Sequence, residues 1–356
     1  MKEGNMKLIL KLFAIFFIII NILQSEVIRV PNERFKTIQD AIDFSFEGDT
    51  IVVEKGIYNE GLAFYGVSVT LVSEYFFSKD KKDIEETIIG AEGTALNVIG
   101  VDKELNINGF TIAGGASWDG AGGIAISNSN TNFQNIIVKN NLGGIGAISV
   151  EGGSAKFKNL YIEGNIGIGT VISINDSANV RFDNVYFANN GNLFGRGGFI
   201  AISNHSNVEF ENFSYLNNFN LHNTKLKDMP IPGFLMNYLQ NVKKSDIPRK
   251  TAEGIQLFNG SSLIVEKSLI WSDDKQQLYF PVELLLEEEE EDEEETDEKD
   301  FILDKSKFVI MNSSYKGNKN LIKINESNSV VEFGNDVINS NNSEQKNQSP
   351  SVPTGN

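Results

Sequence analysis

Short runs of alternating apolar and polar residues recur along the chain, and this alternation predicts β-strands rather than helices. Phe133, Phe157, Phe182 and Phe210 each begin the same motif, with Asn two residues later, Asn or Gly seven residues later, and Asn eight residues later. Copies without an insertion begin 23 to 28 residues apart. Weaker copies keep the same offsets and begin at Ile107, Val265, Ile310 and Phe333. A fixed period of this length indicates a solenoid of stacked coils.

In the four copies that begin at Phe133, Phe157, Phe182 and Phe210, the positions three and five residues later are apolar, as Ile136 and Val138 are after Phe133. Side chains alternate across a strand, so these positions should face a core and positions +4 and +6 should face solvent. A unit of this length suits either a leucine-rich repeat or one coil of a parallel β-helix. No leucine-rich frame occurs and no helix fits between the strands. The sequence therefore predicts an all-β, right-handed parallel β-helix.

The composition agrees with a solenoid, because the chain contains 42 Asn and 32 Gly residues. The Asn at position +2 falls where one strand turns into the next. Asn and Gly tolerate the left-handed backbone that such a corner needs, and Gly109 occupies this position in one copy. Successive coils rise by about 4.8 Å, so equivalent Asn amides should form hydrogen-bonded ladders along the axis.

A short helix is predicted at the start of the solenoid. Thr37 has the character of a helix N-cap, and Ile38, Ala41 and Ile42 form a short apolar stripe at helical spacing. Such a helix would cover the open end of the first coil.

The N-terminus predicts export. Lys2 and Lys7 precede the apolar run Leu12–Ile20, which is the form of a secretory signal peptide over residues 1–25, with cleavage after Ser25. An uncleaved N-terminal anchor is the alternative. No second apolar span follows, so we expect a secreted or cell-surface protein, monomeric and with no membrane span in the mature chain. The β-helix should occupy 26–342, with insertions at about 219–253 and 275–300, before a disordered polar tail at 343–356.

Charge and composition exclude several functions. The formal net charge is -17, of which residues 287–300 contribute -11, so a nucleic-acid partner is not expected. With no Cys and only two His, a thiolate or multi-histidine metal site is excluded, and no cofactor is predicted. The insertion at 219–253 is basic and should lie beside the acidic one.

Three motifs near the N-terminus resemble the opening of pectin-lyase-like right-handed β-helix proteins. They are Thr37-Ile-Gln-Asp-Ala-Ile42, Gly48-Asp-Thr-Ile-Val-Val53 and Gly56-Ile-Tyr-Asn-Glu60. The coil segment Asn108-Gly-Phe-Thr-Ile112 is similar to a recurrent coil of the same superfamily. The resemblance implies the fold, whereas the catalytic motifs of pectin methylesterases and polygalacturonases are absent. Segments Gly197–Ile200 and Phe187–Asn190 show weak similarity to repeats of chlamydial polymorphic outer-membrane proteins.

Charged residues flank the leading phenylalanines on the outward face of three consecutive coils. Glycan lyases use carboxylates to hold Ca²⁺ and a basic side chain to remove a proton next to a uronate carboxyl group. Opposite charges on neighbouring strands are also simply stabilising, and this structural interpretation is favoured. The candidate catalytic residues are Lys158, Arg181, Asp183 and Glu211. The candidate Ca²⁺ ligands are Asp183, Glu209 and Glu211.

Aromatic residues mark a second candidate site. Tyr161 and Tyr186 occupy outward position +4 in neighbouring coils, and Trp271 is outward at position +6 further along. Such rings could cover the apolar faces of sugars, or could be present for β-propensity alone. The favoured function is an exported non-catalytic module that binds glycans or partner proteins at the cell surface. The alternative is a polysaccharide lyase or hydrolase acting on acidic glycans.

Overall fold

The computed structural model describes residues 25–193, 198–216, 218–220 and 254–271, together with six strands between residues 301 and 339. The apolar run of the predicted signal peptide, the predicted polar tail and nearly all of both predicted insertions lie outside the described residues. The expected contact between the basic and acidic insertions lies outside them too. The structure describes three helices, α1 (Ile38–Phe44), α2 (Tyr75–Ser78) and α3 (Lys81–Glu86). None of these described helices has the length and apolar character needed to cross a bilayer.

The chain winds into a solenoid with three parallel sheets, which we call faces A, B and C. Several long strands bend at a corner and contribute to two faces. Face A stacks β1 (Val27–Val30), β2 (Thr50–Val53), β5 (Thr70–Ser73), β8 (Leu105–Asn108), β11 (Ile124–Lys139), β12 (Leu142–Glu163), β14 (Asn179–Ala188), β17 (Asn207–Leu216), β20 (Ser262–Glu266), β23 (Lys307–Met311) and β26 (Val330–Phe333).

The other two faces follow the same order along the axis. Face B contains β3 (Gly56–Asn59), β6 (Thr87–Gly90), β9 (Thr111–Ala113), the C-terminal parts of β11, β12, β14 and β17, and then β21 (Leu269–Trp271), β24 (Ser314–Lys316) and β27 (Ile338–Asn339). Face C contains β4 (Leu62–Tyr65), β7 (Leu96–Ile99), the N-terminal part of β11, a middle part of β12, and then β13 (Ile166–Asn175), β16 (Ile200–Ile202), β19 (Ile255–Leu257), β22 (Phe301–Leu303) and β25 (Ile322–Ile324). The predicted right-handed parallel β-helix is confirmed.

The leading residues of the repeat form the centre of the core. Phe133, Phe157, Phe182 and Phe210 align in register and are buried. Their rings stack with centroid separations of 5.1, 4.9 and 4.9 Å. The +3 and +5 positions are also buried, as predicted. They are Ile136, Leu160, Val185 and Phe213 at +3, and Val138, Ile162, Phe187 and Tyr215 at +5.

The corner between faces A and B carries the predicted outer asparagine ladder. Asn135, Asn159, Asn184 and Asn212 have φ between 53° and 58°, in the left-handed region. The amide of Asn159 donates to the side-chain oxygen of Asn135 over 2.9 Å, and that of Asn184 donates to Asn159 over 2.7 Å. The left-handed corner and the ladder are therefore confirmed.

A second, buried ladder follows at position +8. Asn141, Asn165 and Asn190 are each at most 1% exposed. The Nδ2 of each donates to the Oδ1 of the next over 3.0 Å, and Asn190 continues the series to Asn218. Each Nδ2 also donates to a backbone carbonyl, which for Asn165 is that of Val138. The side chains thus satisfy backbone groups that the turn leaves inside the protein.

Beyond position +8 the chain makes compact turns before face C. Here β10 (Ala116–Ala121), β15 (Gly191–Asn192) and β18 (Phe219–Asn220) pair with neighbouring coils. A Cβ at Gly115 would lie 1.8 Å from the carbonyl oxygen of Gly122, so only glycine fits this approach. The glycine content of the chain therefore reflects close backbone packing as well as left-handed corners.

Helix α1 (Ile38–Phe44) covers the start of the solenoid, as predicted. The Thr37 hydroxyl accepts from the Asp40 amide, and Ile38, Ala41 and Ile42 are buried. The Glu60 carboxylate accepts from the amides of Ile38 and Gln39 at 2.9 and 3.0 Å. The negative charge of Glu60 therefore lies at the positive end of the helix.

Candidate ligand-binding face

Face B exposes a strip of three side chains at position +4 in consecutive coils, namely Ile137, Tyr161 and Tyr186, which we call the tyrosine strip. The two tyrosine rings lie with centroids 5.7 Å apart and planes inclined by 42°. Tyr161 is 49% exposed, while Ile137 and Tyr186 are half-buried. The structure thus brings together two of the three predicted aromatic residues.

Trp271 stands apart from this pair in the backbone register. Tyr186 pairs with Ser214 of the next coil, and Leu216 of that same coil pairs with Trp271 of the coil after it. Trp271 therefore lies two coils beyond Tyr186, at position +6 rather than +4. The Trp271 side chain lies outside the described residues. Its place in a binding surface stays a prediction.

The N-terminal end of the tyrosine strip is closed by a helix. In the preceding coil the outward position is Thr111, which is fully buried because α3 (Lys81–Glu86) packs over it. The Thr111 hydroxyl donates to the carbonyl of Ile84 over 2.8 Å. A ligand on the strip would therefore meet a wall at this end.

Face A carries the predicted charged residues as neighbouring ion pairs, which we call the charge ladder. Lys158 contacts Asp183 at 3.0 Å. The Arg181 guanidinium binds both Glu209 and Glu211. Across the next pair of strands Lys267 binds the same Glu211 at 2.7 Å. All of the predicted catalytic candidates lie close together, and each is paired with an opposite charge.

These pairs fix the protonation of the ladder. The hydrogen bond from Lys267, with the positive charges of Lys267 and Arg181, lowers the pKa of the Glu211 carboxyl group. In return, the hydrogen bond to Glu211 raises the pKa of the Lys267 amine. Glu211 is therefore ionised and Lys267 protonated near neutral pH, and both pKa shifts move these groups away from the neutral range that general acid–base catalysis favours.

The three predicted Ca²⁺ ligands do not converge on a common point. Asp183, Glu209 and Glu211 each bind a lysine or arginine side chain. Within the described ranges, no group of three His, Cys, Asp or Glu side chains is arranged to hold a metal ion. The carboxylate oxygens that a hard cation needs are engaged by cationic side chains. A calcium site here stays a sequence-based hypothesis.

Lys267 is the one member of the charge ladder that the sequence analysis did not single out. It occupies the +2 corner position, where the other copies have Asn or, in one copy, Gly109, and it adopts a similar left-handed φ of 52°. The replacement of Asn by Lys at this repeat position is the sequence feature that could have identified Lys267. A lysine at that corner lies on the same edge of face A as Glu211, which the register of β17 and β20 places in the preceding coil.

The stacked parallel coils, capping helix and corner ladders define a right-handed parallel β-helix. Among solved structures the chain is similar to pectin methylesterase from carrot, with 10% identity and a TM-score of 0.45 over 88% of this chain and 82% of that one. It is also similar to pectin methylesterase PemA from Erwinia chrysanthemi, with 11% identity and a TM-score of 0.42 over 91% of both chains. For the enzyme from Aspergillus niger the identity is 14% and the TM-score 0.39, over 89% of this chain and 85% of that one. A scan against family models gave no match, and neither did a search of curated proteins.

Proposed function

We propose that this protein is an exported, non-catalytic β-helix module that binds a glycan at the cell surface. The observation that carries the proposal is the pair of outward rings of Tyr161 and Tyr186 on a rigid sheet. Export is supported by the basic start and apolar run at Leu12–Ile20.

The tyrosine strip has the physical character of a sugar-binding surface. A tyrosine ring offers an apolar face and a polar hydroxyl, so it can cover the C–H face of a sugar and still hydrogen-bond to its hydroxyl groups. The backbone beneath both rings is held in a parallel ladder, and the rings contact each other across it. Little conformational entropy is lost when a ligand binds to such a preorganised surface.

The charges on face A favour binding over catalysis. Lys158 and Arg181 are the side chains that would recognise or deprotonate a uronate, and both are engaged by carboxylates of the charge ladder. An acidic glycan would have to displace these carboxylates and would meet their negative charge. The arrangement therefore supports a neutral glycan as the ligand and gives no support to lyase or hydrolase activity.

The test is glycan binding by calorimetry with Tyr161→Ala, Tyr186→Ala and the double variant. The matched control is Tyr65→Ala, because Tyr65 is an exposed tyrosine on face C. We expect each strip variant to weaken binding to a neutral oligosaccharide by about tenfold, on the scale of one lost aromatic contact. The control should bind like the parent chain.

Activity measurements complete the test. The parent chain is incubated with neutral glycans and polyuronates, with and without Ca²⁺, and new chain ends and unsaturated products are followed together. Calcium-dependent unsaturated ends that disappear in Arg181→Ala would overturn the proposal in favour of a lyase. Binding that is unchanged in the double tyrosine variant would remove the tyrosine strip as the site.

A further inference from the structure

The outward column of face B that carries the tyrosine strip continues towards the N-terminal end of the solenoid. Its residues pair in register from coil to coil, and in chain order they are Ile57, Ile88, Thr111, Ile137, Tyr161 and Tyr186. All of them except Thr111 are apolar or aromatic, and Ile57 is 70% exposed. The sheet therefore extends past the tyrosine strip, and the limit of the strip at Thr111 is set by what lies over the sheet.

That limit is α3, which lies directly on the outward side of face B. The carbonyl of Ile84 in α3 accepts from the Thr111 hydroxyl, so the helix backbone contacts the sheet. Thr111 is fully buried beneath it. A helix with its side chains is about 10 Å across, which exceeds the height of one layer of side chains on a sheet. The helix therefore forms a wall across the column, next to Ile137.

Ion pairs and burial hold this wall in place. Lys55 contacts Asp83 at 2.6 Å and Glu86 at 3.1 Å, and the Asp83 side chain is 5% exposed. The Thr87 hydroxyl donates to the carbonyl of Asp83 over 2.6 Å, and Ile84 is buried. Moving α3 aside would leave the Asp83 carboxylate without its partner in a buried position, which is strongly unfavourable. A ligand therefore meets a fixed wall.

The position of the wall sets the length of the site on that side. Neighbouring strands lie about 4.8 Å apart, so Ile137, Tyr161 and Tyr186 are the first three steps of the column after Thr111. One sugar unit of an extended chain covers a distance similar to one such step. A glycan that lies along the column over both tyrosine rings therefore places one further unit over Ile137. The unit after that would overlap α3.

We propose that the tyrosine strip recognises the end of a neutral glycan chain, an inference that rests on the glycan-binding function proposed above. The terminal unit lies over Ile137 against α3, and the next two units lie over Tyr161 and Tyr186. The interior of a long chain would have to bend away from the sheet at Ile137 and would lose contacts that a chain end keeps. The wall thus selects ends over interiors without any contact specific to one sugar.

Counting protein molecules on each glycan chain tests this proposal. The full chain is titrated by calorimetry with neutral β-linked oligosaccharides of two to six units of glucose, xylose, mannose or N-acetylglucosamine, and with longer chains of each series that binds. We expect one protein molecule per glycan at every length. The Kd should fall by roughly fivefold from two units to three and then level off, because a chain end offers one way to bind.

Recognition of chain interiors would give a different result. The number of binding registers then grows with chain length, so affinity would keep rising beyond three units and long chains would take up several protein molecules. Either observation would overturn the proposal.

A variant tests the position next to the wall. In Ile137→Ser the terminal unit loses its apolar contact, so we expect a trisaccharide to bind no better than a disaccharide. The matched control is Ile99→Ser, because Ile99 is a 44% exposed isoleucine on face C. The control should keep the preference of the parent chain for three units over two. The same preference in Ile137→Ser would contradict the proposed placement.

These measurements also separate the inference from the function on which it rests. Loss of binding in Tyr161→Ala/Tyr186→Ala, together with several protein molecules per chain, would keep glycan binding and reject recognition of the chain end. Binding that survives in that double variant, or no binding to any of the four series, would reject both.

Discussion

The side chain of Asn165 connects two coils of the solenoid, since its Nδ2 donates to the Oδ1 of Asn190 over 3.0 Å. Its own Oδ1 accepts from both the backbone and the side-chain amide of Asn141, at 3.1 and 3.0 Å. Every polar atom of this buried amide is therefore used. Because these bonds join consecutive coils and lie away from water, the inner ladder contributes to stability in a way that exposed asparagines do not.

Replacing Asn165 should show this directly. In Asn165→Ala the Asn141 amide and the Val138 carbonyl lose their partners in the interior, and each such group costs roughly 1–3 kcal/mol. Urea denaturation measures the loss. The matched control is Asn132→Ala, which removes an Asn–Asn bond to Asn106 on the half-buried outward side of face A and should change stability by under about 0.5 kcal/mol. Equal effects in the two variants would contradict the importance of burial.

Substitutions in the outer ladder should affect stability through the backbone, because its asparagines adopt a left-handed conformation. Asn159 has a φ of 55°, a conformation that costs an ordinary L-residue roughly 1–2 kcal/mol. Asn159→Ala should therefore be less stable than Asn159→Gly by about that amount, even though both remove the amide. The two unfolding free energies give the comparison, and a more stable alanine variant would disprove the backbone argument.

The phenylalanine stack should tolerate changes of shape better than loss of volume. Phe182 lies between Phe157 and Phe210 at 4.9 Å from each and is fully buried. Phe182→Ala should cost about 3–5 kcal/mol, because the rigid coils on both sides cannot collapse into the cavity. Phe182→Leu fills most of the space and should cost clearly less. Thermal unfolding of both variants checks the order, and similar losses would argue that ring stacking outweighs volume.

Ionisation of Tyr58 should make the stability of the folded protein depend on pH in the alkaline range. Burial, aided by the negative charges of Glu54 and Glu60, raises the pKa of its phenol to about 12 from an ordinary value of 10.0. The Tyr58 phenol keeps its proton to a higher pH in the folded state than in the unfolded state. Its contribution to the free energy of unfolding is therefore complete below pH 10 and is lost as the pH rises towards 12. Ultraviolet titration of the phenol, compared with Tyr58→Phe, should show the late step and its removal. A normal titration near pH 10 would contradict the effect of burial.

The charge ladder should respond to acid in the opposite direction. The pKa of Glu211 is lowered by its bond to Lys267, so its stabilising contribution is present above the ordinary carboxyl pKa and is lost as the pH falls through the lowered value. Lys267→Ala should move the Glu211 pKa back up, as followed by NMR titration. Lys158→Ala is the control, because Lys158 pairs with Asp183 instead. An unchanged Glu211 pKa in Lys267→Ala would mean that Arg181 alone sets it.

The repeat made most of the fold predictable, because stacking forces equivalent residues of successive coils into the same environment. The offsets from Phe133 predicted the core positions and the left-handed corner at Asn135, and they marked Asn141 as a repeat position without indicating its burial. A further left-handed corner was not predicted, although asparagine also occupies it in more than one coil. Asn204 has a φ of 52° and accepts from the amide of Asn259 over 2.8 Å. Its neighbours in the ladder are separated by insertions and irregular spacing, which hid the period.

The helical segment at residues 74–86 and the partners of the candidate charges could not be derived from the repeat. This segment lies between Ser73 and Thr87 and follows no period, so only tertiary contacts such as Lys55 with Asp83 reveal where it packs. Similarly, the alternation of side chains predicted that Arg181 and Glu211 lie on one face. It did not show that a guanidinium would reach two carboxylates in the next coil.

The inner ladder also makes the solenoid modular. Asn141 and Asn165 are 24 residues apart, and the Nδ2 of each donates to the Oδ1 of the equivalent Asn in the next coil. Removing one whole coil between them would leave Asn141 facing Asn190 with the same hydrogen bonds available. Gene duplication or deletion can therefore lengthen or shorten this protein by single coils, and a family of such chains would differ in reach while keeping one cross-section.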